Sequence, residues 1–179
     1  MHILLAFLPF IVFAITDRVA NALAGLLAGA VVALLLLGND WLIKKRSLKI
    51  LDVGTTTLFV GLSLYFLVAK PAWPAIAVRL SVDSGLLLIV LVSLAVGKPF
   101  TLQYAREQVA PEFWESAEFL RTNNIISGVW ALAFATMVVA ELAILFVPQV
   151  PRRLGIMVIV LALAGAVKFT AWYPESVKH

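Results

Sequence analysis

Five ionisable residues lie inside, or at the ends of, long apolar stretches of the chain. They are Asp52, Arg79, Asp83, Glu141 and Lys168. Charged side chains within a membrane-spanning segment are rare, usually face the protein interior, and mark polar networks or transport pathways. These residues are therefore the first candidates for a functional site.

The positions of these charges along the apolar stretches predict which of them meet. Arg79 and Asp83 are four residues apart, so they share one face of a helix. Arg79 and Glu141 are expected at similar depth in the membrane, as are Asp52 and Lys168 near the opposite surface. One interpretation is a buried polar network of Arg79, Asp83 and Glu141 that serves function. The other is that these pairs only fix the register of the helices.

The sequence lacks the signatures of several common chemistries. Cysteine is absent and the only histidines are His2 and His179, so thiolate catalysis, disulfides and Cys-based metal sites are not expected. Zinc-protease, serine-hydrolase and phosphate-binding glycine-loop motifs are also missing. We predict no catalytic residue, metal or cofactor, and we favour a non-enzymatic protein over an enzyme.

The amino-acid composition indicates that most of the chain lies in a lipid bilayer. Of the 179 residues, 63% are hydrophobic and 13% are charged, whereas soluble domains average about 45 to 50% apolar and about 25% charged residues. The chain is therefore predicted to be an all-α membrane protein that forms a single transmembrane helical domain over residues 1–179.

Six apolar segments are predicted to cross the membrane as helices, or five if the first one is re-entrant. The segments cover about residues 3–15, 19–37, 51–69, 74–96, 124–147 and 154–172. The first segment is shorter than the roughly 17 to 25 residues of a usual span. It contains Pro9 and is expected to turn at Thr16, Asp17 and Arg18. A short span and a re-entrant helix both fit it.

The fourth segment also has two interpretations. A helix that begins at Pro74, in a favoured position for proline, and ends at Val96 is long enough to span the membrane. Alternatively, Pro74 to Ser84 is an interfacial helix followed by a re-entrant half-span. We favour the full span, which places Arg79 and Asp83 inside the membrane.

Two glycines in the second segment predict close helix packing. Gly25 and Gly29 are four residues apart, and small residues at this spacing let helix backbones approach each other. The partner is either a helix of the same chain, which we favour, or a second copy or another membrane protein.

One hydrophilic passage separates the apolar blocks, over residues 98–122. Within it, Pro111 to Leu120 is predicted to form a short amphipathic helix on the membrane surface. The preceding TLQYARE sequence is either a solvated helical turn or a contact site for a partner protein. The candidate contact residues are Gln103, Tyr104, Arg106 and Glu107.

The distribution of lysine and arginine predicts that both termini are cytoplasmic, because cytoplasmic loops carry the excess of basic residues. The set on the predicted cytoplasmic side, or close to it, is Lys44, Lys45, Arg46, Lys49, Lys98, Arg106, Arg121, Lys168 and Lys178. The opposite set is Arg18, Lys70, Arg79, Arg152 and Arg153. Lys44, Lys45, Arg46 and Lys49 carry much of the net charge of +4 in one short loop, which membrane orientation explains. We therefore expect membrane lipids, rather than nucleic acid, as partners.

Several segments together resemble the bacterial intracellular septation protein A family of small inner-membrane proteins. They are the opening LLAFLPFIVF followed by Asp17, the basic loop after Trp41, GLSLYF in the third segment, Lys98 with Pro99, and Asn123, Asn124 and Trp130. The resemblance implies a bacterial inner-membrane protein that is linked to cell division and has no established chemistry. Two functions are therefore expected from the sequence. One is a non-enzymatic septation or envelope protein that acts through protein contacts, and the other is a small transporter or channel that uses Arg79, Asp83 and Glu141.

Overall fold

The computed structural model describes residues 2–43, 45, 47–147, 149 and 151–176. Throughout these residues the regular secondary structure is helical and contains no strand, which confirms the all-α fold class. Some residues used in the predictions above lie outside the described residues, namely Lys44, Arg46, Lys178 and His179.

Eight α-helices follow one another along the described chain. They are α1 (His2–Leu5), α2 (Leu8–Val19), α3 (Ala22–Gly38), α4 (Ile50–Ala69), α5 (Ala75–Ala95), α6 (Phe100–Ala105), α7 (Ala117–Phe146) and α8 (Arg152–Ser176). A π-helical turn, Asn39–Ile43, extends α3, and a 3-10 turn, Pro111–Phe113, precedes α7.

Five of these described helices are long and apolar enough to cross a membrane: α3 with its π-helical turn, α4, α5, α7 and α8. Only 11% to 33% of the most apolar stretch of each is buried within the protein. Apolar faces of this extent fit a hydrocarbon environment, in which the helices satisfy their own backbone hydrogen bonds. The chain is a multi-pass integral membrane protein.

The start of the chain differs from the predicted first span. Helix α2 has only 12 residues and is too short to cross a bilayer. Pro9 stands in its first turn, where a missing N–H breaks no helical hydrogen bond. The turn predicted at Thr16, Asp17 and Arg18 is wrong, because α2 continues to Val19. The chain turns at Asn21, whose side chain accepts a hydrogen bond from the Ala24 N–H at 2.9 Å and caps α3.

The hydrophilic passage also folds differently from the prediction. A helix from Pro111 to Leu120 does not form. Instead, the backbone is extended at Ser116, which caps α7 by accepting a hydrogen bond from the Phe119 N–H at 3.2 Å. Helix α7 then continues for 30 residues, since no proline stops it. The short helix of the passage is α6, which lies earlier in the chain.

The chain forms two compact units, Met1–Ile89 and Val90–His179. In the first unit, α3 packs against both α2 and α4, and in the second, α6 and α8 pack against α7. Helix α5 begins in the first unit and ends in the second. The single domain over residues 1–179 stays a prediction.

An aromatic cluster forms the core of the first unit. Phe59 of α4 is fully buried, with ring centroids 5.1 Å from Phe10 and 5.8 Å from Phe13 on α2. Its ring passes so close to α3 that a Cβ atom at Gly29 would lie 2.6 Å from it. Likewise, a Cβ atom at Gly25 would lie 3.0 Å from the Phe13 side chain. Gly25 and Gly29 of α3 thus pack against helices of the same chain, and a contact of this helix with a second copy or another membrane protein stays a prediction.

The core of the second unit centres on α7. The rings of Trp130 and Phe134 are almost fully buried, with centroids 5.5 Å apart. The Trp130 indole N–H donates to the Thr170 hydroxyl at 2.9 Å, which ties α7 to α8.

Candidate functional site

The first unit holds a partly buried ion pair between α2 and α5. Arg79 Nε donates a hydrogen bond to Asp17 Oδ2 at 2.6 Å, and Arg79 Nη2 forms an ion pair with the same oxygen. The Asp17 side chain is 1% exposed, whereas that of Arg79 is 38% exposed. Hydrogen bonds between two ionised groups are stronger than neutral ones, so this contact anchors the short helix α2 to α5.

The burial of Asp17 follows from its position on α2. It lies one turn after Phe13, so both side chains share the face that packs on α3. Gly25 lies opposite them, where an added Cβ atom would be 3.1 Å from Asp17 Cβ. The missing side chain at Gly25 lets the two helices close over the carboxylate.

One oxygen of this pair is not satisfied. Asp17 Oδ1 is buried and accepts no hydrogen bond from any residue that the structure describes. The buried Ser63 hydroxyl of α4 also has no hydrogen-bond partner among these residues. Asp17 lies one turn after Phe13 on α2, and Ser63 lies one turn after Phe59 on α4. The rings of Phe13 and Phe59 are in contact. Because α2 and α4 both run antiparallel to α3, the two residues lie at a similar depth. The site therefore combines a carboxylate and a guanidinium, and Asp17 Oδ1 can accept one further hydrogen bond.

Arg79 was predicted to form a network with Asp83 and Glu141, and Asp17 was not predicted as its partner. Asp83 is half-buried on α5, one turn after Arg79. Glu141 is buried in α7 of the second unit, at 4% exposure. A contact between Arg79 and Glu141 would join the two units, so the predicted network stays a prediction.

A second group of charged residues forms ion pairs across the loop between α3 and α4. Lys49 is buried, with Nζ 3.1 Å from Asp40 Oδ2 and 4.0 Å from Asp52 Oδ2. Asp52 therefore has a cation within its own unit. Lys168 lies exposed on α8 of the second unit, and its predicted pairing with Asp52 stays a prediction.

The four residues predicted to contact a partner protein lie on α6 or just after it. Tyr104 is buried at 3% exposure, while Gln103, Arg106 and Glu107 are half-buried. The Arg106 guanidinium lies 5.4 Å from the centre of the Trp114 ring, a cation–π distance. This side of the passage thus packs inward to a large extent, and its role as a partner contact stays a prediction.

Hydroxyl groups fasten α6 to α7, and sequence analysis did not identify them. The Thr101 hydroxyl donates to the Asn123 carbonyl at 2.9 Å and lies 2.8 Å from the Ser127 hydroxyl. All three residues are buried. The signal in the sequence was the polar Asn123 and Ser127 on one face of an apolar helix. Their partner in α6 cannot be read from that spacing.

A cavity of about 440 Å³ lies between the first turns of α7 and the last turns of α8. Its lining residues are Ala117, Glu118, Arg121, Thr122 and Tyr173. Glu141 lies 19 residues after Thr122 on the same helix, which corresponds to about 28 Å at 1.5 Å per residue. The cavity is therefore separate from the buried carboxylate of the second unit.

Among the residues that the structure describes, no three His, Cys, Asp or Glu side chains come together in a way that could hold a metal ion. Comparison with models of protein families, with curated proteins and with solved structures gives no match for this chain.

Proposed function

We propose that this chain is a non-enzymatic protein of the bacterial inner membrane that supports septation or envelope maintenance through contacts with other proteins. The observation that carries the proposal is the fully buried ring of Phe59 at the centre of the first unit. Its contacts with Phe10 and Phe13 fill the space between α2 and α4. The resemblance to the septation protein A family agrees with this role.

The surroundings of Arg79 support the same conclusion. Val78 and Val82 of α5 are fully buried and belong to the apolar cluster around Phe59. A transport pathway needs ionisable groups that line a wet passage. Here the buried carboxylate of Asp17 is held by a cation and packed against apolar side chains. This arrangement suits a fixed helix contact better than a passage for a substrate.

The proposed orientation places the basic loop, the 98–122 passage and the end of α8 in the cytoplasm, because most basic residues lie on that side. With five spanning helices the start of the chain then lies on the opposite side, so the expectation that both termini are cytoplasmic requires a sixth crossing that the 12-residue α2 is too short to supply. In this passage the side chains of Gln108, Glu112 and Phe113 are exposed, the last at 53%. These outward side chains are where a cytoplasmic partner can reach the protein.

The test is a deletion strain in which cell length and septum frequency are measured. We expect longer cells with fewer septa, and recovery on expression of the wild-type chain. A triple alanine variant of Gln108, Glu112 and Phe113 is expected to reach the membrane in normal amount without restoring division. The control, Leu132→Ala, changes an exposed apolar residue of α7 and is expected to restore it. Unchanged cell length and septum frequency in the deletion strain would contradict the proposal.

A small-molecule or ion transporter that uses Arg79, Asp83 and Glu141 is the second candidate. It is favoured by one observation, namely that Asp17 Oδ1 is buried without a hydrogen bond beside the partly exposed Arg79. Asp83→Asn and Glu141→Gln variants distinguish the candidates. The transport function requires that these changes abolish activity in cells, whereas the non-enzymatic role requires normal folding and normal complementation.

A further inference from the structure

The residues around the cavity between α7 and α8 are of the types found at a membrane–water boundary. Tyr173 belongs to an aromatic group at the end of α8, with its ring stacked on Phe169 at 5.0 Å and next to the 60% exposed Trp172. Trp and Tyr side chains are enriched at the level of lipid headgroups. On α7, the cavity residues precede Asn123 and Asn124, after which the helix becomes apolar.

The lining of the cavity carries one charge of each sign. Glu118 and Arg121 are three residues apart and therefore project from the same side of α7. Both side chains are exposed, and in the described part of the chain neither forms an ion pair. Thr122 and Tyr173, which line the same cavity, each carry a hydroxyl group that can donate a hydrogen bond.

This combination matches a zwitterionic ligand with a phosphate and a primary ammonium group. The Arg121 guanidinium binds phosphate through charge-assisted hydrogen bonds, which the two hydroxyl groups supplement. The Glu118 carboxylate accepts hydrogen bonds from an ammonium group but repels a second anion. A quaternary ammonium group has no N–H to donate, so it gains less from Glu118.

The apolar surface of α8, the helix that carries Tyr173, favours a lipid as the ligand. Only 11% of the most apolar stretch of α8 is buried, the lowest fraction of the five spanning helices described. Val160, Leu161 and Val167 are among its exposed side chains. A headgroup held at this end of α8 leaves its acyl chains in the hydrocarbon layer beside the helix, an environment that a small soluble zwitterion would not use.

We infer that the cavity of Glu118, Arg121, Thr122 and Tyr173 is a binding site for the headgroup of a phosphoethanolamine lipid. This inference is independent of the proposed role in septation, because it depends on the α7–α8 pair alone. It assigns Arg121 and the hydroxyl groups to the phosphate and Glu118 to the ammonium group.

Native mass spectrometry of the full chain in detergent tests the site, with phosphatidylethanolamine, phosphatidylcholine and phosphatidylglycerol of identical acyl chains. We expect phosphatidylethanolamine to bind about tenfold more tightly than the other two, as one charged hydrogen bond predicts. Arg121→Gln should weaken its binding about tenfold. Glu118→Gln should remove the preference over phosphatidylcholine while leaving phosphatidylcholine binding unchanged.

Arg152→Gln is the matched control, because Arg152 is an exposed arginine at the far end of α8. If Arg121→Gln does not fold, Tyr173→Phe replaces it, because this change removes only a hydroxyl group. We expect it to weaken phosphatidylethanolamine binding less than Arg121→Gln does, but measurably. Equal binding of the three lipids, or unchanged binding in both charge variants, would overturn the site. A preference for phosphatidylglycerol would show a general anionic-lipid surface instead. Equally tight binding of free phosphoethanolamine would overturn the assignment to a lipid.

Discussion

Arg79 and Asp17 are 62 residues apart in sequence, yet Arg79 Nε donates to Asp17 Oδ2 at 2.6 Å. The two partners are unequally buried, since the Asp17 side chain is 1% exposed and that of Arg79 is 38% exposed. The carboxylate therefore depends on its partner more than the guanidinium does. This asymmetry determines what each substitution should do.

Arg79→Gln should destabilise the protein by about 3 kcal/mol, because it leaves a buried carboxylate without its cation. Asp17→Asn should lower the free energy of unfolding by only about 1 kcal/mol. The partly exposed Arg79 guanidinium can extend to polar surroundings when its partner loses its charge. The free energy of unfolding in mixed micelles measures both values.

The double variant Asp17→Asn with Arg79→Gln serves as the control for this pair. It should be more stable than Arg79→Gln alone, because no buried charge remains unpaired. Strictly additive losses would show that the two side chains do not act as a pair.

Gly29→Ala should destabilise the first unit by about 1 to 3 kcal/mol, the usual range for inserting an extra group into a packed core. The new Cβ atom would lie 2.6 Å from the Phe59 ring, which has no room to move away. Gly61→Ala is the control, because a Cβ atom there meets nothing within 4 Å. Melting temperatures that fall equally in both variants would contradict the contact.

Thr101→Val should cost about 1 to 3 kcal/mol, because the isosteric side chain leaves the buried Ser127 hydroxyl without this partner. Hydrogen exchange should then become faster in α6, which Thr101 fastens to α7. Thr57→Val is the comparison, since the exposed Thr57 hydroxyl bonds only to the Val53 carbonyl of its own helix. Unchanged exchange in α6 would argue against this fastening.

Asp40→Asn should loosen the loop between α3 and α4 more than Asp52→Asn does. Asp40 lies 3.1 Å from the buried Lys49 Nζ, and Asp52 lies 4.0 Å from it. Limited proteolysis within residues 39–49 should therefore be fastest in Asp40→Asn, intermediate in Asp52→Asn and slowest in the wild type. The reverse order would contradict the assignment of Asp40 as the closer partner.

The positions of the long helices could be predicted from sequence because each apolar stretch must satisfy its backbone within itself. Helices α4 and α5 begin and end within a residue or so of their predicted spans. The start of α7 could not be placed, because Ala117 to Thr122 is polar enough to suggest a surface segment. Only the Ser116 cap shows that the helix already begins there.

The candidate site was predicted in part. Arg79 was identified, because a charge inside an apolar stretch stands out. Its partner was missed, because Asp17 was assigned to a turn after a segment that was predicted to end at residue 15, four residues before α2 ends at Val19. The pairing depends on how α2 packs against α5, and the periodicity of either helix alone does not contain that information.

Labelling of a cysteine introduced at Ser63 tests the closed packing of the first unit most directly. The introduced thiol is the only one in the protein, because the chain has no cysteine of its own. Ser63 is 4% exposed and lies at the depth of Asp17. We expect a Ser63→Cys variant in native membranes to resist a water-soluble maleimide until it is denatured, while a Gln108→Cys variant in the exposed loop reacts at once. Rapid labelling of the folded Ser63→Cys variant would reveal a water-filled passage beside Asp17 and Arg79, and would contradict the proposed non-enzymatic role in favour of transport.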